Sequence, residues 1–231
     1  MALVILAAEK NSPSVSLGMT ALTLTLASAS PRRKELLASL HSNFAVLAVD
    51  IEEIPAPHET PLHYVNRLAL EKASAGLARL KQRHANSWVL GADTIVVSGT
   101  AILEKPRNFA DFNRMMTLLS GRSHEVITAV CLTSPKATFT ECVVTKVNFR
   151  PLSESDIHSY WQTGEPKDKA GGYGIQGIAA RFVQSISGSY SAVVGLPLCE
   201  TEALLKQAGF ACPMVQESAP VFAQNTLAER K

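Results

Sequence analysis

The chain predicts an α/β fold built on a mixed, twisted sheet flanked by helices. Apolar runs with a period of two alternate with runs of helical spacing, and two of the strand-like runs turn back through short links, Ser98-Gly99 and Ser134-Pro135-Lys136-Ala137. Strands that alternate with helices ask for parallel crossovers, whereas hairpins force antiparallel neighbours, so an all-parallel sheet is excluded. With 231 residues, 46% hydrophobic and 18% charged, the chain can bury one large core, and disorder is excluded for most of it.

The opening Met1-Ala2-Leu3-Val4-Ile5-Leu6-Ala7-Ala8 is apolar but too short to span a bilayer, lacks a basic start and meets Glu9-Lys10 at once. Residues 9–18 have no period. Residues 1–18 are therefore expected to form a disordered leader, with Met19 a second candidate start, and 19–209 to form a single domain. From Phe210 onward Pro, Ala, Gln and Glu mix without period, so 210–231 reads as a tail.

Within the domain, Leu22, Leu24 and Leu26 alternate with Thr23 and Thr25 as in a half-buried strand. Ser30 then caps a helix that has Pro31 at its first position. Phe44 to Val49 reads as a strand leading into Asp50-Ile51-Glu52-Glu53, and Thr60-Pro61 opens a helix to about His84. Trp88 to Val97 reads as a strand interrupted by Gly91-Ala92-Asp93-Thr94, with a short return over Thr100 to Glu104. A helix from Asn108 to Leu119 stops at Gly121, and strands follow at about 124–133 and 138–149. Ser153 to Thr163 is a capped helix ending at Gly164, followed by a glycine-rich loop, a strand near Arg181 to Ile186 and a helix from Pro197 to Ala208.

Charge and cysteines narrow the class. Twenty-two Lys and Arg against 20 Asp and Glu give a net charge of +2, so nothing advertises nucleic acid or an anionic membrane as partner, and any anion selectivity must be local. Cys131, Cys142, Cys199 and Cys212 form no CxxC pair and read as buried free thiols of a cytoplasmic protein.

The strongest chemical signal is Ser28-Ala29-Ser30-Pro31-Arg32-Arg33 between a strand and a helix. Free backbone N–H groups, the positive end of the helix dipole, two hydroxyls and two guanidiniums converge there as a phosphate cradle. An ordinary capped helix with two solvated arginines fits the same residues. Asp93 interrupts an apolar strand, which is costly unless the carboxylate is paired or metal-bound; a turn aspartate satisfied by neighbouring amides is the alternative. Glu52 and Glu53 close the previous strand on opposite faces, so one can join Asp93 in a cleft while the other meets solvent. Lys72, in mid-helix, and Lys105, held by Pro106, can each meet phosphate as a point charge or simply face water.

Gly172 to Gly177 spell a literal GxGxxG, and Glu200 lies near the distance of a ribose-binding acid. The dinucleotide reading fails because that motif must follow a strand and open a helix, whereas here it follows a charged loop and leads into the strand-like Ile178 to Val183. What remains is a close-approach loop carrying Lys169 and Gln176, or a structural turn. The six histidines show no HExxH spacing, and no GxSxG or P-loop lysine occurs.

Taken in order, Ser-x-Ser-Pro-Arg-Arg, the paired glutamates, Arg67-Leu68-Ala69-x-x-Lys72, Gly91-Ala92-Asp93-Thr94, Glu104-Lys105-Pro106 and Lys169-Ala170-Gly171-x-Tyr173-Gly174-Ile175-Gln176-Gly177 resemble the Maf-like nucleotide pyrophosphatase family over about residues 22–209. The resemblance implies two lobes around a nucleotide cleft in an ITPase-like arrangement, a homodimer, and hydrolysis of nucleoside triphosphates to monophosphate and pyrophosphate. It also implies a link to cell-division arrest. By motif, Ser28, Arg32, Arg33, Lys72 and Lys105 would hold the triphosphate. Asp93 would act at the hydrolytic centre with Glu53, these two also holding a divalent cation, Mg2+ or Mn2+. Lys169 and Gln176 would close over the nucleotide. The blocks around Thr94 and Gln176 resemble the branch acting on dTTP and UTP, and removal of modified nucleotides goes with that activity. Whether Asp93 is the general base or a metal ligand stays open. A non-catalytic nucleotide-binding regulator of division, and a broad housekeeping pyrophosphatase, are the competing readings.

Overall fold

A computed structural model describes residues 21–214. The expected leader, and positions 215–231 of the expected tail, lie outside the described residues.

The sheet has seven strands: β1 (Thr23–Leu26), β2 (Phe44–Val46), β3 (Ser87–Ser98), β4 (Ala101–Leu103), β5 (Ser123–Thr133), β6 (Thr138–Phe149) and β7 (Val183–Ser187). Their order is β2-β1-β3-β5-β6-β7, with β4 beside β3. The β2-β1-β3 pairs are parallel and the others antiparallel, so the sheet is mixed. Among the described residues six α-helices accompany it: α1 (Pro31–Leu40), α2 (Pro61–Arg79), α3 (Phe109–Leu119), α4 (Glu154–Gln162), α5 (Tyr190–Val194) and α6 (Leu198–Gln207).

The topology opens a gap where the chemistry of interest lies. Along one edge of β3, β1 pairs from Ser87 to Leu90 and β4 from Val96 to Ser98. Along the other edge β5 pairs with every residue from Val89 to Val97. Gly91 to Ile95 therefore have a strand neighbour on one side only, at the carboxyl end of β1, where open α/β sheets place ligands. The continuous pairing with β5 also corrects the expected interruption: Gly91-Ala92-Asp93-Thr94 stays in the strand.

Three apolar clusters cover the sheet. Helices α1 and α6 pack Leu37, Leu204 and Leu205 on Leu24, Leu26 and Leu90. Helix α2 lays Tyr64, Val65, Leu68, Ala69 and Ala73 over Ile95, Ile127 and Ala129. Helices α3 and α4 bring Phe112, Met116, Ile157 and Tyr160 onto Val126, Val147 and Phe149, forming the second lobe. Covered on both faces, β1 buries Thr25 as well as its leucines and is not half-exposed. A Cβ on Gly91 would lie 2.5 Å from Ala69 O and 2.5 Å from Ala73 N. That glycine lets the α2 backbone touch β3, one turn from Lys72.

Other expectations shift. Helix α2 ends at Arg79, short of His84. Ile178–Phe182 is a 3-10 helix, so β7 starts only at Val183. Phe210, expected to begin the tail, is buried with Leu204 and Leu205. Of the cysteines only Cys131 is buried; all four are free thiols.

Beneath the cleft His124 is 3% exposed, with Nε2 2.8 Å from the Tyr173 hydroxyl and its ring edge-on to Phe149 and Tyr173. Burial pushes its pKa down from 6.5 to about 4. Between those values the unfolded chain binds a proton that the folded one refuses, so stability is full above pH 6.5 and is lost as pH falls toward 4. Urea unfolding should show His124→Phe losing less stability than the parent between about pH 7 and about pH 4.5, by about 3 kcal/mol. Equal losses would leave His124 without this role.

Candidate active site

Every residue that the family resemblance places in the site lines one cleft of about 850 Å3 between the lobes. Its upper wall is the β1–α1 turn. Ser30 caps α1 by accepting from Arg33 N at 3.4 Å, Pro31 takes the first helical position, and no acid occupies the first turn. The buried Ser28 hydroxyl accepts from Ser30 N at 3.2 Å. Backbone donors and the helix dipole thus face the cleft beside Arg32 and Arg33, an arrangement suited to an anion.

Asp93 comes from the unpaired edge of β3, and Lys72 meets it from α2. The Lys72 Nζ lies 2.6 Å from Asp93 Oδ1 and 2.6 Å from Glu53 Oε1, while Lys105 Nζ stands 3.7 Å from Glu53 Oε2. Lys72 is 8% exposed, so the exposed-face reading of this lysine is corrected: it sits on the apolar stripe of Val65, Leu68, Ala69 and Ala73. Burial works to raise the Glu53 pKa, but the hydrogen bond and charge of Lys72, with Lys105 and Arg33, more than offset it. The carboxylate is held below its ordinary range. Glu52 and Glu53 are not the end of a strand, since β2 stops at Val46; both are exposed, and Glu53 reaches the cleft on an irregular segment.

Two carboxylates share one close ammonium here, with Lys105 a second cation 3.7 Å from Glu53. Among the described residues no group of three or more His, Cys, Asp and Glu could hold a metal. Asp93 and Glu53 supply the one or two carboxylates that Mg2+ takes when phosphate oxygens and water complete its shell, so the residues fit such an ion.

Arg33 is tied down. Its Nε donates to Gly195 O at 2.8 Å and its Nη2 to Thr94 Oγ1 at 3.0 Å. Thr128 Oγ1 donates to Ala192 O at 2.7 Å and lies 2.9 Å from Thr94 Oγ1, so the Thr94 proton points to Thr128. The Thr94 hydroxyl therefore accepts from Arg33 and donates to Thr128, fixing the guanidinium. Burial lowers the Arg33 pKa against the opposing charges of Asp93 and Glu53.

The lower wall is the glycine-rich loop. Two 3-10 turns, Glu165–Asp168 and Ala170–Gly172, precede Gln176, with no strand before them and no α-helix after, in keeping with the failed dinucleotide reading. Lys169 Nζ donates to Glu165 O at 2.6 Å and Asp168 Oδ1 at 2.7 Å. Arg32 Nη1 stands 4.0 Å from Asp168 Oδ2 across the cleft.

Sequence reading missed Tyr64, Thr128 and Glu165. Tyr64 donates to Glu104 Oε1 at 2.6 Å, bracing the segment that carries Lys105. Its spacing with Leu68 and Lys72, four residues each, already put all three on one helical face. Thr128 and Glu165 left no such trace, because their partners are distant in sequence. Among the described residues no helix is long and apolar enough to cross a membrane.

The Maf-like protein family model matches residues 23–208. A dTTP/UTP pyrophosphatase of Aliivibrio fischeri is 56% identical over 183 residues, 79% of this chain and 96% of that protein. One from Vibrio parahaemolyticus is 54% identical over 186 residues, covering 80% and 97%, and one from Photobacterium profundum is 51% identical over 191 residues, covering 81% and 97%. The matched span begins with β1 and ends with α6, taking in both walls of the cleft, and the chain belongs to the Maf-like protein family.

Proposed function

We propose that the chain is a nucleoside triphosphate pyrophosphatase that hydrolyses dTTP and UTP to the monophosphate and pyrophosphate, modified nucleotides included. One observation carries the reading: the α1 turn with Arg32 and Arg33 and the Asp93–Lys72–Glu53 cluster line the same cleft. The name shared by the relatives supports the same substrates.

A triphosphate brings about four negative charges, which cations must screen before water can approach phosphorus. Arg32 and Lys105, paired only at 4.0 Å and 3.7 Å, can turn to phosphate, with Ser28 and the α1 amides beside them. Arg33 and Lys72 add charge from fixed positions. Lys169 and Gln176 close over the nucleotide from the loop. Water attacks the α-phosphorus, its proton is taken up at the Asp93–Glu53 cluster, and the bond to the bridging oxygen breaks to release pyrophosphate. Lys72 meets Asp93 at Oδ1, and the carboxylate supplies the negative charge that this step needs. A divalent cation, Mg2+ or Mn2+, held by Asp93 and Glu53 would screen phosphate charge and polarise the water. The reading goes with a cytoplasmic homodimer acting on free nucleotides, consistent with the net charge of +2.

Pyrophosphate release from a panel of dTTP, UTP, CTP, GTP and ATP, with each cation, tests the reading. Expected kcat/KM for dTTP and UTP exceeds that for the others by about tenfold or more. Comparable values for dTTP and ATP would refute the preference. Nucleotide binding without pyrophosphate release would establish the non-catalytic regulator. In the same assay Arg33→Ala should raise KM about tenfold, at least as clearly as it lowers kcat, because a charge-assisted contact to bound phosphate is lost.

A further inference from the structure

The glycines that imitate a dinucleotide fingerprint have an explanation in the chain's own side chains. Gly177 has φ −104°, and Gly174 is likewise not among the positive-φ glycines, so neither needs glycine for its backbone conformation. Space is what they need. A Cβ on Gly177 would overlap Glu165 Oε1 and lie 2.5 Å from Glu165 Cδ. One on Gly174 would lie 2.7 Å from Lys169 Cε. The loop is thus folded directly against Glu165 and the Lys169 stem.

The Glu165 carboxylate is fully engaged there. Oε2 accepts from Ile178 N at 2.9 Å, and Oε1 accepts from the Tyr160 hydroxyl at 2.8 Å. Tyr160, 2% exposed in the second-lobe core, also accepts from Gly174 N at 3.2 Å. Glu165 and Tyr160 therefore grip the loop at both ends of Gly174-Ile175-Gln176-Gly177. Tyr160 is anchored among Phe112 and Phe182, so the grip refers the loop to the rigid core. Between the two holds Gln176 is exposed at the cleft.

We propose that Glu165, tethered by Tyr160, is a positioning residue that fixes where Gln176 meets the nucleotide and so sets discrimination between dTTP and CTP. The proposal rests on the pyrophosphatase reading for its substrate and on geometry alone for the hold. A carboxylate accepts from both donors at once. A carboxamide at the same place offers one acceptor and one donor group, so it meets both only if Tyr160 turns from donor to acceptor. A shifted Gln176 loses the hydrogen-bonding match that rejects the wrong base edge.

Three variants test it: Glu165→Ala, Glu165→Gln and Tyr160→Phe, the last two keeping shape. Amide hydrogen exchange by NMR should show Gly174 and Ile178 exchanging about tenfold faster in Glu165→Ala, with the β5 and β6 amides unchanged. The dTTP-to-CTP ratio of kcat/KM should narrow by about tenfold, chiefly through a raised KM for dTTP. Glu165→Gln and Tyr160→Phe should fall between this and the parent. If Glu165→Ala does not fold, those two carry the test. Parent-like exchange at both amides would overturn the hold, and faster exchange with an unchanged ratio would overturn the assignment of specificity. If the parent itself releases no pyrophosphate, the pyrophosphatase reading and the specificity claim fall together, and exchange still decides whether Glu165 holds the loop.

Discussion

Asp93→Asn is expected to lower kcat for dTTP hydrolysis by about 10² or more in a protein that stays folded. The aspartate side chain is 8% exposed and bonded to Lys72. Asparagine keeps its shape and can still accept from that ammonium, so the packing between α2 and β3 survives. What disappears is the negative charge and the proton-accepting capacity of the second oxygen, which a general base and a metal ligand need alike. KM should change far less, because the reading proposed above gives the phosphate contacts mainly to the α1 turn, Arg32, Arg33 and Lys105. Steady-state kinetics with a melting curve separates these effects. A folded variant with near-normal turnover would move the chemistry to another carboxylate, Glu53 first.

Lys72→Met should produce the largest loss of stability, about 3–5 kcal/mol, because it leaves Asp93 and Glu53 together without their shared close cation. For a domain of this size that corresponds to a fall of about 10 °C in Tm. The pH dependence gives the effect its signature. In the parent, Lys72 helps hold Glu53 below its ordinary pKa, a contribution present above the unfolded pKa and lost on acidification. Without Lys72, only Lys105 and Arg33 oppose the effect of burial on Glu53, so the part of that contribution which Lys72 supplies is missing at neutral pH and makes no difference once Glu53 is protonated. The Tm deficit of Lys72→Met should therefore hold at neutral pH and narrow as pH falls below 4.5, the ordinary Glu53 value. A deficit that stays constant or widens would mean that lost packing, not unpaired charge, accounts for the destabilisation.

Local chemistry made much of the fold legible. Ser30 with Pro31, Thr60 with Pro61, Asn108 and Ser153 all cap the helices expected of them, and the β5–β6 hairpin falls where alternating apolar residues and Ser134-Pro135 put it. Failures arose where distant neighbours decide. Asp93 read as a break, yet β5 pairs straight through it and Lys72 answers its charge. Ile178 to Phe182 reads as the start of an apolar strand, but Glu165 captures the Ile178 amide and the segment winds into a 3-10 helix. Helix α5, with five residues, is too short to leave a helical period. In the candidate site the cradle was visible because capping is local. The Lys72–Glu53 contact and the Arg33–Thr94–Thr128 chain were not, because each joins elements far apart in sequence.

Hydrolysis of dTTP in ¹⁸O-labelled water, with both phosphorus products analysed by mass spectrometry, addresses the cleavage site most directly. If the cations retain a pyrophosphate leaving group while the Asp93–Glu53 cluster serves attack at the α-phosphorus, the label enters dTMP and the pyrophosphate stays unlabelled. Label in orthophosphate, with dTDP as the other product, would place the attack on the γ-phosphorus and contradict the assignment.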